Sequence, residues 1–141
     1  MSYFKDAETL LSSVPLLEKA LQNLKEQETS LRKVEAAPLP RGGMSTKEAE
    51  RVLSDRLERK SVKRRIKRTS NTLSCVNRVL DQLGNEEAAI LRSWYIDHKP
   101  KETILSELHI ESLSTLYNLR NTAVTNFALL YYGAEALGVY N

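Results

Sequence analysis

The chain has 141 residues, a formal net charge of +3 and 28% charged residues, with only five glycines and four prolines. That length suits one domain or a domain with an extension, and the scarcity of Gly and Pro points to an all-α fold. The single cysteine, Cys75, excludes a disulfide framework and a cysteine-based zinc site; no apolar run approaches the roughly 20 residues of a membrane span, and none resembles a secretion signal.

These bounds predict a cytoplasmic protein without membrane contact, in which Cys75 packs as a small buried hydrophobe. The charge is unevenly placed. Residues 1–40 carry −1, residues 41–83 carry +7 and residues 84–141 carry −3. Long-range attraction to a polyanion therefore belongs to the middle third.

In chain order, residues 3–13 predict a short helix with Phe4, Leu10 and Leu11 as its apolar residues. Pro15 fits the first turn of a new helix. That helix runs to about Glu35 on a narrow seam of Leu17, Leu21, Leu24, Leu31 and Val34, interrupted by Glu28. The segment 36–44, with two prolines and two glycines, reads as a loop. Ser45 with Glu48 forms a capping-box pattern, and no Gly or Pro follows until Gly84.

A helix of up to about 38 residues is therefore expected after Ser45. Its second half holds a coiled-coil seam, Val62, Ile66, Thr69, Leu73, Val76, Leu80 and Leu83. Its first half reads as out of phase, because Leu53 and Leu57 point elsewhere. A narrow seam needs a partner, so either a helical hairpin with 16–35 or self-association into a homo-oligomer is expected. Domain organisation follows: a helical or coiled-coil region over 1–83, then a separate unit over 84–141.

The last unit reads as three helices. Asn85 is the expected N-cap of the first, which carries Ala89, Ile90, Leu91, Trp94 and Tyr95 on its apolar side. Pro100 opens a short helix with Ile104, Leu105 and Leu108; His109 and Ile110 form a turn. Ser112 or Glu111 caps a third helix ending at Gly133, with Leu113, Leu116, Leu119, Ala123, Phe127 and Leu130 inward. Its outer face is Ser114, Thr115, Asn118, Asn121 and Thr122, edged by Tyr117 and Arg120.

A short helix, a tight turn and a longer helix with a polar face is the helix-turn-helix pattern. Asn bonds adenine through two contacts, Arg bonds guanine, and the Thr methyl meets the thymine methyl. The same pattern also serves a three-helix packing unit with a solvated outer face.

The run LDQLGNEEAAILRSWYIDHKPKETILSELHIESLSTLYNLRNTAVTNF resembles the fourth region of sigma-70-type factors. The version it resembles is that of late-gene transcriptional regulators of phages and prophages, of the ArpU/RinA-like type. The resemblance rests on ILRSWYI, KETILSEL and STLYNLRNTAV, and covers about a third of the chain well. It implies an N-terminal helical region, a helix-turn-helix over 84–141, double-stranded DNA as ligand and RNA polymerase as a further partner. Matched residue by residue, Ser114, Thr115, Tyr117, Asn118 and Asn121 take groove-facing positions, with Arg120 beside them; Leu116, Leu119 and Ala123 take inner ones. Two positions depart from that pattern. Residues 112–132 hold only one cation, Arg120, where such helices are rich in Lys and Arg, and Leu105 stands where a small residue is usual.

Eight of the thirteen residues from Arg56 to Arg68 are basic. Arg56, Arg59, Lys60, Lys63 and Lys67 are expected to share one face opposite Val62 and Ile66, flanked by Arg64 and Arg68. That row is either a solvated face or a phosphate-contacting ridge. It lacks interleaved aromatics, so single-strand stacking is disfavoured. His98 and His109 belong to no metal-ligand cluster, no phosphate loop is present, and no acid–base pair stands out. The expectation is a non-enzymatic regulator without cofactor. Its rivals are a module that docks on RNA polymerase or another phage protein, and the small DNA-recognition subunit of a packaging motor.

Overall fold

The computed structural model describes residues 2–36 and 42–138. It is all-α: the described residues contain five α-helices, one π-helical turn and one 3-10 turn, and no strand. The helices are α1 (Tyr3–Glu35), α2 (Thr46–Gln82), α3 (Asn85–Leu91), α4 (Lys101–Glu107) and α5 (Leu113–Tyr132). The π-helical turn spans Arg92–Ile96 and the 3-10 turn Gly133–Leu137. No described helix is long and apolar enough to cross a membrane. Most of the predicted loop, residues 37–41, lies outside the described residues; Gly42 and Gly43 follow it with φ of 87° and 89°.

The chain divides into two compact units that do not follow the expected division at residue 84. One comprises Met1–Leu16 with Leu73–Asn141, the other Leu17–Thr72.

In the first unit the core is apolar and well enclosed. Ala7 and Leu11 from α1, Leu80 from α2, Ile90 and Leu91 from α3, Ile104 from α4, and Leu116, Ala123, Val124 and Phe127 from α5 are all fully buried. α3 packs along α5, and α4 touches both α5 and the π-helical turn. The N-terminal segment differs from expectation. Pro15 does not start a helix but sits inside α1. It removes one amide, the donor that would reach the Leu11 carbonyl, and its fixed φ is already helical. Burial of Ala7, Leu11 and Val14 on one side holds the helix through it. The buried row is therefore not Phe4, Leu10 and Leu11: Phe4 and Leu10 are only half-buried.

The cap of α3 is Gly84 rather than Asn85, with no side-chain bond. Ser112 caps α5 as expected, its hydroxyl accepting from the Thr115 amide at 3.2 Å. At the far end Gly133 stops α5 with φ 79°, a conformation L side chains rarely adopt. Leu113 and Leu130, expected inward, are 47% and 48% exposed. Val124 and Ala128 take their places, so the buried stripe of α5 sits slightly around the helix from the one expected. Cys75 is half-buried, with an Arg78 guanidinium donating to its Sγ at 3.5 Å.

The second unit is built differently. Among its described residues Val62 is the one fully buried apolar side chain. The capping box at the start of α2 forms in both directions: the Glu48 amide donates to Ser45 Oγ at 3.2 Å and the Ser45 amide to Glu48 Oε2 at 3.4 Å. Leu17, Leu21, Leu24 and Leu31 on α1 are half-buried, and Val34 is exposed. The first half of α2 is in phase with its second half. Glu48, Val52, Asp55 and Arg59 continue the seven-residue repeat back from Val62, and all four are half-buried. The repeat was hidden because three of these positions are polar.

Candidate nucleic-acid interface

Two surfaces carry the chemistry expected of a nucleic-acid binder, one in each unit. In the second unit, Arg56, Lys60, Lys63, Arg64, Lys67 and Arg68 are all exposed on α2. The spacing of three and four puts them on one broad face, away from Val62. Only Arg56 has a carboxylate partner among the described residues, Glu35 at 3.6 Å.

Arg59 is not part of this ridge. It lies three residues before Val62 and so on the same face of the helix. Its Nε donates to Glu28 Oε1 at 3.1 Å, and its Nη1 donates to the Glu35 carboxylate. Its side chain is 21% exposed, that of Glu28 15%. The Arg59 guanidinium holds the Glu35 carboxyl below the usual carboxylate range, and Glu35 in turn raises the Arg59 pKa. Glu28, which breaks the apolar pattern of α1, therefore occupies a seam position as the counter-ion of Arg59. These pairs join the later part of α1 to the early part of α2, with the helices running antiparallel.

In the first unit, α5 presents Ser114, Thr115, Asn118, Asn121 and Thr122 to solvent, as the sequence predicts. Thr115 Oγ1 accepts from Ser112 Oγ at 2.9 Å, which ties it to the cap. Tyr117 and Arg120 are not open. Arg120 donates through Nη1 to the Tyr95 hydroxyl at 3.3 Å and lies 3.7 Å from Glu8 Oε2. Its Nε donates to Asn121 Oδ1 at 2.9 Å, and its side chain is only 18% exposed. The guanidinium also sits 4.7 Å from the Trp94 ring centre and 5.6 Å from that of Tyr117.

Trp94 and Tyr117 meet edge to face at 5.5 Å, and the Lys101 ammonium lies 5.0 Å from the Tyr117 ring. The π-helical turn explains this arrangement. Its wider coil, closed by the Asp97 amide donating to the Arg92 carbonyl at 2.8 Å, puts the adjacent residues Trp94 and Tyr95 both beside Arg120. The Tyr95 hydroxyl donates to Glu8 Oε2 at 2.7 Å; burial, then this bond, pushes its pKa upward. The one cation of α5 is thus committed to an internal network with an acid from α1.

Sequence reasoning missed Glu8, Trp94 and Lys101 as neighbours of the polar face. The Tyr117–Arg120 spacing signals a shared helix face, but nothing local signals that α1 supplies the acid. Between α4 and α5, His109 adopts φ 55°, which gives the turn its tightness. Among the described residues no group of His, Cys, Asp and Glu is placed to hold a metal ion.

No family model matches the chain, and neither a curated protein nor a solved structure matches it.

Proposed function

We propose that this protein binds double-stranded DNA as a transcriptional regulator of the phage or prophage type that residues 80–127 resemble. Affinity comes from the ridge Arg56, Lys60, Lys63, Arg64, Lys67 and Arg68. Sequence choice comes from Ser114, Thr115, Asn118 and Asn121 on α5. The observation that carries this reading is the ridge: six exposed cations on one helix face, five of them without a carboxylate partner among the described residues. Each phosphate they neutralise adds about 0.9 to the salt slope of binding. A neutral reading face cannot supply that affinity, and phosphate contacts supply it without reading bases.

The test is fluorescence anisotropy with labelled duplexes across a salt series. Replacing Lys60, Lys63, Arg64 and Lys67 with Gln should flatten the slope by about 3–4 units and weaken binding at least about a thousandfold at low salt. Unchanged affinity sinks the reading. Asn118→Ala with Asn121→Ala should leave the slope alone and narrow the gap between cognate and random duplex.

A second reading has its own support: α5 docks on RNA polymerase or another protein. Arg120 is withdrawn into the Glu8–Tyr95 network, and Leu113 is left 47% exposed at the start of α5. Duplex binding that is indifferent to both sets of substitutions, with loss of polymerase binding on Leu113→Glu, favours it.

A further inference from the structure

Within the second unit, the face of α2 that bears the ridge also carries a bare apolar pair at its N-terminal end. Leu53 and Leu57, one helical turn apart, are 59% and 60% exposed. They centre a second repeat, Thr46, Glu50, Leu53, Leu57, Lys60 and Arg64, with the alternating steps of four and three that a helix–helix seam requires. This row is distinct from the one running through Arg59 and Val62. Its charges are arranged asymmetrically: Glu50 precedes the leucines and Lys60 follows them, each three positions from the nearer leucine.

We propose that this row docks on the same row of a second copy, the two α2 helices running antiparallel about a two-fold axis near Asp55. In that register Leu53 of each protomer meets the partner's Leu57, and Glu50 meets the partner's Lys60. A two-fold interface must be self-complementary, and both pairs satisfy this twice. The parallel arrangement would set Glu50 against Glu50 and Lys60 against Lys60, which disfavours it. At the rim Arg56 approaches its symmetry mate; Glu35, 3.6 Å from each Arg56 within its own protomer, offsets that repulsion. Four leucines make a small contact, so association belongs in the micromolar range rather than the nanomolar. Lys60 and Arg64 belong both to this row and to the ridge, so the dimer engages the near end of the ridge, while Lys67 and Arg68 lie beyond the overlap; the dimer forms without nucleic acid.

Sedimentation equilibrium of the full chain without DNA, from about 1 to about 300 µM, tests this. The expected result is a monomer–dimer equilibrium. Leu53→Lys with Leu57→Lys should weaken it about a hundredfold or more, because four apolar contacts are lost. Both residues are exposed, so helix content by circular dichroism should stay unchanged. Lys60→Glu should weaken the dimer, and adding Glu50→Lys should restore it.

A wild-type chain that stays monomeric throughout overturns the proposal, as does a dimer indifferent to the double lysine variant. Failure of Glu50→Lys to rescue Lys60→Glu overturns the antiparallel register.

Discussion

The two compact units hold themselves together by different means. The first encloses a continuous apolar core from Ala7 to Phe127, while the second has Val62 as the one fully buried apolar side chain among its described residues and an Arg59–Glu28–Glu35 cluster in its seam. An apolar core supplies stability in proportion to buried area, whereas a buried ion pair supplies little net stability. What such a pair does supply is register, because a shifted pairing would strand a desolvated charge. The contrast teaches that the cationic surface of this protein sits on its less stable part. Local opening of the second unit should precede opening of the first.

The largest effect that sharpens this contrast is Phe127→Ala, expected to cost about 3–5 kcal/mol by urea unfolding. Leu24→Ala, in the half-buried seam, should cost about 1 kcal/mol. Equal costs would break the comparison, and so would hydrogen exchange in which amides of 17–72 outlast those of α5. Next comes Ser112→Ala, which removes the α5 cap and should cost about 1 kcal/mol, read in the same assay.

A qualitative reversal is expected in the seam. Glu28→Ala should lower the thermal midpoint of the second unit, since it removes a partner from a half-buried charge. Arg59→Met with Glu28→Leu should match or exceed wild type, at the expense of register. The smallest effect is with pH. The Glu35 carboxyl titrates below its ordinary 4.5 in the folded chain, so its contribution is complete above that value and fades as pH falls through the lower one. Glu35→Gln should remove that part of the acid dependence of helix content.

How much of this was legible in the sequence depended on how local the determinant is. The capping box at Ser45, the Ser112 cap and the stop at Gly133 are set by neighbouring residues, and each was readable. The Leu73–Leu80 seam was readable because its positions are apolar. Its continuation was not, because Asp55 and Arg59 look like surface residues until Glu28 is brought opposite. Arg120 is the sharpest case at the candidate site. Its place on the polar face of α5 suggested a base contact, but its fate depends on Glu8 and Tyr95, remote in the chain. The outward Ser114, Thr115, Asn118 and Asn121 followed from periodicity alone.

The first unit is split along the chain, and this has a consequence for synthesis. Residues 17–72 are contiguous and are synthesised before α3, α4 and α5. Ala7, Leu11 and Val14, made well before α5, must wait for it before their core closes. For that interval the nascent chain carries a finished charged segment and an uncovered apolar stripe. Slow translation across 84–132 would prolong the exposure, and a fragment that begins at α3 would never regain the missing side of its core.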